Sequence, residues 1–261
     1  MGILGRIDTF ITWFDGVVWG LPLIILILVT GIFLTVRLGL LQVRYLGKAL
    51  KFMVKNEEDG HGEVTSFGAL CTALSATIGT GNIVGVATAI SAGGPGALFW
   101  MILTAFLGMA TKYSEGLLAV KYRTIDEDGH VLGGPFYYIE NGMGVKFRWL
   151  AKIFAFFGAG VGLFGIGTFT QVNGISSAVR NFFDPNMAHT VALFGNDYSW
   201  ATVISCLVLT VCVGMVVLGG IKRIAKVSEI VVPFMAVLYV VLAVIIMVTN
   251  ITAIPAAIVT I

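Results

Sequence analysis

Charge is what this sequence has least of. Of its 261 residues, 11% are Asp, Glu, Lys or Arg, whereas a soluble domain carries about 25%. Hydrophobic residues make up 57%, and the mean hydropathy is +0.96. So few charges cannot solvate the surface of a water-soluble fold, so we expect most of the surrounding solvent to be lipid. The net charge of +2 gives no indication of nucleic-acid binding.

Patterns of metal-binding and catalytic residues are also missing. The three cysteines, Cys71, Cys206 and Cys212, lie in apolar runs without a CxxC or a histidine cluster, so we interpret them as packing residues. The sequence contains no HExxH, no nucleophile–base pair and no intramembrane carboxylate pair, so we do not expect an enzyme. The first apolar run is too long for a cleavable signal and lacks an Ala-x-Ala site, which predicts a retained anchor.

Long apolar runs are abundant, and six of them approach the 20 or so residues that a membrane-spanning helix needs. Barrel strands would be shorter and would alternate in polarity, so the predicted fold class is an all-α membrane protein. The six predicted spans, numbered 1 to 6, are residues 17–36, 66–92, 97–120, 153–179, 201–219 and 228–248.

Basic residues alternate from loop to loop. Loops after spans 2 and 6 have none, and the loop after span 4 has Arg180 alone. The others carry Arg37, Arg44, Lys48, Lys51 and Lys55 after span 1, Lys121, Arg123, Lys146, Arg148 and Lys152 after span 3, and Lys222, Arg223 and Lys226 after span 5. The positive-inside rule places these loops in the cytoplasm and the N-terminus outside.

Two further features lie near the predicted cytoplasmic side. Residues 40–55 mix apolar and basic side chains, which indicates an amphipathic helix on the inner leaflet, with a gate as the alternative. Lys112 and Glu115 in span 3 are three residues apart and can pair on one helix face. Both lie near the end of the span, where Lys can reach water, so we expect a structural or gating ion pair. A proton or ion relay is the alternative.

Span 2 contains the sequence SATIGTGNIVG, which combines three glycines with polar side chains. Gly79, Gly81 and Gly85 do not match the dinucleotide-binding fingerprint in spacing or context. Gly81 and Gly85 form a GxxxG, which favours close helix packing. Packing does not explain why Gly79 and Gly81 are one residue apart, nor why Thr77, Thr80 and Asn82 accompany them.

A broken helix explains both features. Two such glycines lower helix propensity by about 2 kcal/mol relative to alanine. The freed carbonyl and amide groups then need partners, and transporters supply them with a solute and a cation near the bilayer midplane. We therefore predict a break at residues 78–81. A second polar cluster in span 4 could face the same cavity or join helices by hydrogen bonds, and both interpretations stay open. Its members are Thr168, Thr170, Gln171 and Asn173.

One long motif carries a family resemblance. It begins at Ala76 and reads ATIGTGNIVGVATAISAGGPGALFWMILTAFLGMATKYSEGLLAVKYR, and GGPFYYIENGMG follows from Gly133. The sequence resembles the alanine/glycine:cation symporter family of prokaryotes over nearly its whole length. The resemblance implies a LeuT-type fold, with span 1 as an extra N-terminal helix and residues 66–248 as the first of two inverted five-helix repeats. It also implies symport of a small neutral amino acid, such as alanine or glycine, with Na⁺ or H⁺ in the cell membrane.

The resemblance also implies roles for individual residues. The amides of Thr80 and Gly81, with the Thr80 hydroxyl, would receive the substrate carboxylate, and Gln171 would contact the amino acid. Thr77 and Asn82 would supply oxygens to Na⁺, and the carbonyls of Ser75 and Ile78 would line a second cation position. Gly79 and Gly85 would have structural or gating roles. No cofactor is implied beyond the coupling ion.

The second repeat of the family is missing from these 261 residues. We therefore expect an N-terminal part that functions with a C-terminal half. The alternative is a non-transporting membrane subunit or an inactive fragment.

Overall fold

The computed structural model describes residues 3–54, 64–165, 167–193 and 195–261, which are almost entirely helical. Two short antiparallel hairpins pair β1 (Thr124–Ile125) with β2 (Val131–Leu132) and β3 (Thr190–Leu193) with β4 (Asn196–Ser199). Tight 3₁₀ turns lie at Thr80–Asn82, Val145–Phe147 and Ile251–Ala253. The α-helices in the described residues are α1 (Ile3–Val18), α2 (Leu21–Arg37), α3 (Leu41–Arg44), α4 (Leu46–Val54), α5 (Ser66–Thr77), α6 (Val84–Gly93), α7 (Gly96–Lys121), α8 (Pro135–Met143), α9 (Arg148–Leu163), α10 (Thr168–Phe183), α11 (Trp200–Val217), α12 (Gly220–Thr249) and α13 (Ile254–Thr260).

Helical segments long and apolar enough to cross a membrane dominate the described part of the chain. There are five of them, at Gly5–Arg37, Gly96–Lys121, Val145–Phe183, Trp200–Val217 and Gly220–Thr249. Their large apolar side chains are mostly exposed, as expected of surfaces that face lipid or other helices. The predominance of helix and these five segments are consistent with the predicted all-α membrane protein, and the count of six spans stays a prediction. Span 2 is not among the five because it consists of two shorter apolar helices, α5 and α6.

The boundaries of spans 3 and 5 agree closely with α7 and α11, whereas those of spans 1 and 6 differ. Span 1 corresponds to α2, which begins at Leu21 with Pro22 in its first turn. Proline is tolerated there because the N–H groups of the first turn have no partner within the helix. A separate helix, α1, precedes it. Helix α12 begins at Gly220, well before predicted residue 228, so it includes the basic residues that we assigned to the preceding loop.

The prediction of one continuous helix for span 4 is wrong. The structure divides it into α9 and α10, with a turn that contains Gly165 and Gly167. Their φ angles are +58° and +91°, in the region that side chains of L-residues rarely adopt. The sequence signal was present, because Gly165 and Gly167 have the same one-residue spacing as Gly79 and Gly81.

The basic segment after span 1 is helical, as predicted, over α3 and α4. Gln42 anchors its start, because Nε2 donates to Thr35 Oγ1 (2.9 Å) and to the carbonyl of Phe106 (3.2 Å). These bonds join α3 to α2 and α7. Lys55, the last residue of the predicted segment, lies outside the described residues. Whether the segment lies on a membrane or acts as a gate stays a prediction.

Two helix pairs make the most extensive contacts in the described structure. Helix α2 packs against α7, where Gly31 allows close approach, because a Cβ there would lie 2.9 Å from Leu107 Cβ. Helix α5 packs along α12, with Gly68 and Cys71 buried on α5. The second pair is important for the site because α5 is the first half of the broken helix.

Candidate functional site

The helix of span 2 is interrupted at the predicted position. Helix α5 ends at Thr77, and Ile78 (φ −88°, ψ 118°) and Gly79 (φ −153°, ψ −162°) are extended. A 3₁₀ turn, Thr80–Asn82, follows, and α6 starts at Val84. The prediction of a broken helix is confirmed.

Asn82 stabilises the interruption through hydrogen bonds to Gly79 in the same segment. Its Oδ1 accepts a hydrogen bond from the Gly79 N–H (3.0 Å), and its own N–H donates to the Gly79 carbonyl (3.0 Å). In a continuous helix the Gly79 N–H would donate to Ser75. The asparagine side chain therefore replaces a helical hydrogen bond and stabilises the extended conformation.

Helix α10 contacts the break through two residues. The Thr80 N–H donates to Gln171 Oε1 (2.9 Å), which joins the two segments across 91 positions of sequence. A Cβ at Gly79 would collide with the Gln171 amide, so this position needs glycine for close approach and not for its φ angle. At Gly174 a Cβ would lie 2.7 Å from Thr80 Cγ2, so the threonine methyl packs directly on α10.

Several main-chain groups at the break have no hydrogen-bonding partner. Within the described residues, no donor reaches the carbonyls of Ser75, Ala76 or Thr77, and the Gly81 N–H finds no acceptor. Ser75, Ala76, Thr77 and Gly81 are exposed. Unpaired backbone dipoles are costly in a bilayer unless they line a polar cavity or bind a ligand. The break therefore presents carbonyl oxygens on the α5 side and an amide on the other side.

The hydroxyl groups of Thr77 and Ser75, two of the residues with unpaired carbonyls, donate hydrogen bonds within α5. Thr77 Oγ1 donates to the carbonyl of Ala73 (2.8 Å), and Ser75 Oγ donates to that of Thr72 (2.7 Å). A hydroxyl that donates its proton within its own helix still has lone pairs available as an acceptor. Asn82 Oδ1 likewise has a second lone pair beside its bond to Gly79. The structure thus brings the predicted oxygen donors to one short stretch of chain.

The polar cluster of span 4 does not act as one unit. Thr170 Oγ1 donates to the carbonyl of Gly167 within its own turn (2.8 Å), and Thr168 and Asn173 are exposed. In the described structure Gln171 is the member of this cluster that reaches the break. Its side chain joins helices, as one interpretation predicted. Its contact with a substrate stays a prediction.

The GxxxG interpretation finds no support. A Cβ at Gly81 or Gly85 would meet no atom of the described residues within 4 Å. Neither glycine therefore permits a close helix contact within this part of the protein. The structural or gating role predicted for Gly85 stays a prediction.

The ion pair predicted on span 3 is present. Lys112 Nζ lies 3.0 Å from Glu115 Oε2, with side-chain exposures of 72% and 42%. The structural or gating role predicted for this pair, and the alternative of a proton or ion relay, stay predictions. Burial raises the pKa of Tyr138 on α8; the nearby Glu115 carboxylate adds to this increase and Lys112 opposes it.

Sequence reasoning missed one ionisable residue. Glu229 lies inside span 6, and its Oε1 accepts a hydrogen bond from Thr65 Oγ1 (2.9 Å) at the start of α5. The signal was a single carboxylate at the start of an apolar run, three residues after Lys226. A buried acid, Asp184, lies outside the spans. The Ser199 hydroxyl is the main cause that lowers the pKa of Asp184, and the amides of Ala188 and His189 also contribute.

These features define a multi-pass helical membrane protein in which a polar break interrupts one helix and a side-chain amide from another helix binds to it. The model of the sodium:alanine symporter family matches residues 5–261. The chain belongs to the sodium:alanine symporter family, a family of transporters, and the resemblance inferred from its motifs is confirmed.

Individual relatives agree with this assignment. The chain is 52% identical over 252 residues to an uncharacterized transporter of Haemophilus influenzae, covering 97% of this chain and 52% of the relative. It is 48% identical over 242 residues to the sodium/alanine symporter AgcS of Methanococcus maripaludis, covering 90% and 49%. It is 39% identical over 249 residues to a putative sodium/proton-dependent alanine carrier, YrbD, of Bacillus subtilis, covering 95% and 47%. The chain spans about half the length of the curated relatives it matches.

Proposed function

We propose that these residues form one part of a secondary active transporter that carries a small neutral amino acid, such as alanine or glycine, together with Na⁺. The observation that carries this proposal is the break itself, where the carbonyls of Ser75, Ala76 and Thr77 and the amide of Gly81 have no hydrogen-bonding partner among the described residues. Family membership supports it, and one relative is named a sodium/alanine symporter. H⁺ is the alternative coupling ion.

The substrate carboxylate binds at the amide side of the break. The N–H groups of Thr80 and Gly81 and the Thr80 hydroxyl are its donors. The start of α6 lies two residues after Asn82, and the positive end of a helix dipole favours an anion. In this structure Gln171 Oε1 accepts a hydrogen bond from the Thr80 N–H, so the substrate carboxylate must displace the Gln171 side chain. The freed Gln171 amide, which can donate and accept, then contacts the amino acid.

The cation binds at the oxygen side. Thr77 Oγ1 and Asn82 Oδ1 are its side-chain ligands, and the carbonyls of Ser75 and Ile78 line a second cation position. Na⁺ is a hard cation that prefers such oxygen ligands. None of these ligands is a carboxylate, so the carboxylate of the substrate balances the charge of the ion. This shared charge balance couples the binding of the two solutes.

The surrounding architecture is proposed from the family. Span 1 is the extra helix, residues 66–248 form the first five-helix repeat of a LeuT-type fold, and the complete transporter contains a second repeat. The protein lies in the cell membrane with its N-terminus outside and its basic loops in the cytoplasm, as the alternation of basic residues favours. Alternating access then exposes the site to either side of the membrane.

The test is uptake of labelled alanine by proteoliposomes that contain the complete transporter. An inward Na⁺ gradient should drive accumulation, and dissipating the gradient should abolish it. Uptake driven by a proton gradient alone would make H⁺ the coupling ion. Absence of uptake under either gradient, with correctly inserted protein, would favour the alternative of a non-transporting membrane subunit.

A further inference from the structure

The first turn of α5 is tied to α12 by a hydrogen bond between distant parts of the chain. Thr65 Oγ1 donates to Glu229 Oε1 (2.9 Å) and accepts from the Gly68 N–H (2.9 Å). The carboxylate lies directly on α5, because a Cβ at Gly68 would be 2.5 Å from Glu229 Oε1. Thr65 is therefore both the N-cap of α5 and its link to α12.

The hydrogen bond between Thr65 and Glu229 lies beside the packed interface between α5 and α12, which we call the seam. Gly68 and Cys71 are the buried residues of α5, and Ala225, Ser228 and Val232 are those of α12. Cys71 is 1% exposed. Because these residues are small or apolar, they supply packing but no specific bond. In the described part of the chain, Thr65–Glu229 is the side-chain hydrogen bond that joins α5 to α12.

The partner of Glu229 makes this link unusual. Glu229 is half-buried and is the second residue of predicted span 6, and a carboxylate within a span normally pairs with a cation or serves a function. Among the described residues, no basic side chain forms an ion pair with Glu229, and its hydrogen-bond donor is a neutral hydroxyl. When the Thr65 hydroxyl separates from Glu229, no second charged group is left without a partner. A hydrogen bond of this kind therefore suits a contact that opens and closes.

We propose that Thr65 and Glu229 form a latch that holds α5 closed against α12, and that the latch must open for α5 to move. Thr65 lies at one end of α5, and the unpaired carbonyls lie at the other end. A helix of 12 residues is about 18 Å long, so opening the latch moves the cation side of the break through a rigid element. Glu229 is thus a positioning residue. The consequence for transport rests on the proposed function, whereas the latch itself does not.

Cys71 provides a native reporter of the seam. In a background in which Cys206, Cys212 and every cysteine of the rest of the complete transporter are replaced by serine, the rate at which N-ethylmaleimide modifies Cys71 measures opening of the seam. The measurement uses the complete transporter in vesicles of phosphatidylethanolamine and phosphatidylglycerol, without amino acid or Na⁺. Thr65→Asp preserves the N-cap but places a carboxylate against Glu229. We expect modification about tenfold faster than in the background protein.

Matched variants separate the latch from the cap and from charge. In Thr65→Asp/Glu229→Gln the donor and acceptor are exchanged, because the Gln amide can donate to the Asp carboxylate, and modification should return to the background rate. Thr65→Ser, which preserves both bonds, should match the background. Added negative charge near a thiol raises its pKa and slows its reaction, so faster modification in Thr65→Asp reports opening.

Two results would overturn the latch. One is equal modification in Thr65→Asp and the background protein, with both monodisperse in detergent. The other is a double variant as reactive as Thr65→Asp. Alanine uptake by the same vesicles gives an independent result. Faster modification of Cys71 in Thr65→Asp, with no alanine uptake by any variant, would support the latch and reject the proposed function. Alanine uptake with an unchanged rate of modification would support the proposed function and reject the latch.

Discussion

Two helices of this protein are interrupted at a pair of glycines one residue apart, and the two breaks differ in what their backbones do. At Gly165 and Gly167 the chain turns through positive φ angles, and main-chain bonds continue around the turn. The Thr168 N–H donates to Gly165 (3.0 Å) and the Gln171 N–H to Gly167 (3.2 Å). At Gly79 the chain is extended and side chains replace main-chain partners.

The difference separates a structural turn from a site. At the first break, main-chain N–H groups donate to the carbonyl groups of Gly162, Gly165 and Gly167. The second leaves those of Ser75, Ala76 and Thr77 without a donor in the described residues, while Asn82 and Gln171 maintain the extended conformation. Glycine spacing alone therefore does not indicate a binding site. Polar side chains that replace main-chain hydrogen bonds do.

The largest expected effect comes from Gly79→Ala. A Cβ there collides with the Gln171 amide, which must swing away and lose its bond with the Thr80 N–H. We expect loss of alanine uptake and destabilisation of about 1–3 kcal/mol, measured by uptake and by thermal unfolding in detergent. Gly85→Ala is the matched control, because its Cβ meets no described atom within 4 Å. Equal activity of both variants would show that the contact between Gly79 and Gln171 is unimportant.

Asn82→Ala should have the next largest effect. It removes a proposed Na⁺ ligand together with the bond to the Gly79 N–H. We expect the Na⁺ concentration for half-maximal uptake to rise about 10- to 100-fold. Asn173→Ala on α10, whose side chain makes no hydrogen bond among the described residues, should leave it unchanged. Unchanged sodium dependence in Asn82→Ala would reject the role given to this residue.

Gln171→Ala should weaken substrate binding by a smaller amount. Loss of one neutral hydrogen bond lowers affinity about fivefold, because the net contribution of such a bond is about 1 kcal/mol. Binding of labelled alanine to purified, inserted protein measures this. Thr170→Val serves as control, since the Thr170 hydroxyl bonds within its own turn. Wild-type affinity in Gln171→Ala would restrict Gln171 to joining helices.

Gly167→Ala should affect transport least and stability measurably. At φ +91° a side chain is strained by about 1–2 kcal/mol, so the unfolding temperature should fall. The sodium dependence of the remaining uptake should stay that of the wild type. A raised requirement for Na⁺ would contradict the distinction between the two breaks, because it would make the second break part of the cation site.

Much of the fold could be predicted from the sequence because lipid imposes simple rules. Length and hydropathy predicted the spans that became α7 and α11, and the pair Gly79–Gly81 with its polar neighbours predicted the interruption of span 2. The interruption of span 4 was missed because Gly165 and Gly167 lie among apolar residues, so the hydropathy remains high across the turn. A hydropathy window records composition and not φ angles.

The details of the site needed coordinates because they depend on contacts between distant segments. Sequence motifs drew attention to Gln171, but not to its bond with the Thr80 N–H, 91 positions away. Glu229 was missed although a single carboxylate in an apolar span is a strong signal. Its partner, Thr65, lies 164 positions away, so no local pattern joined the two.

A structure of the complete transporter with Na⁺ and alanine bound tests the central claim most directly. We expect the substrate carboxylate to accept hydrogen bonds from the N–H groups of Thr80 and Gly81, with Gln171 Oε1 displaced from Thr80. We also expect Na⁺ beside Thr77 and Asn82. An unbroken helix through residues 78–83, or a substrate bound elsewhere while Gln171 still accepts the Thr80 N–H, would contradict the claim.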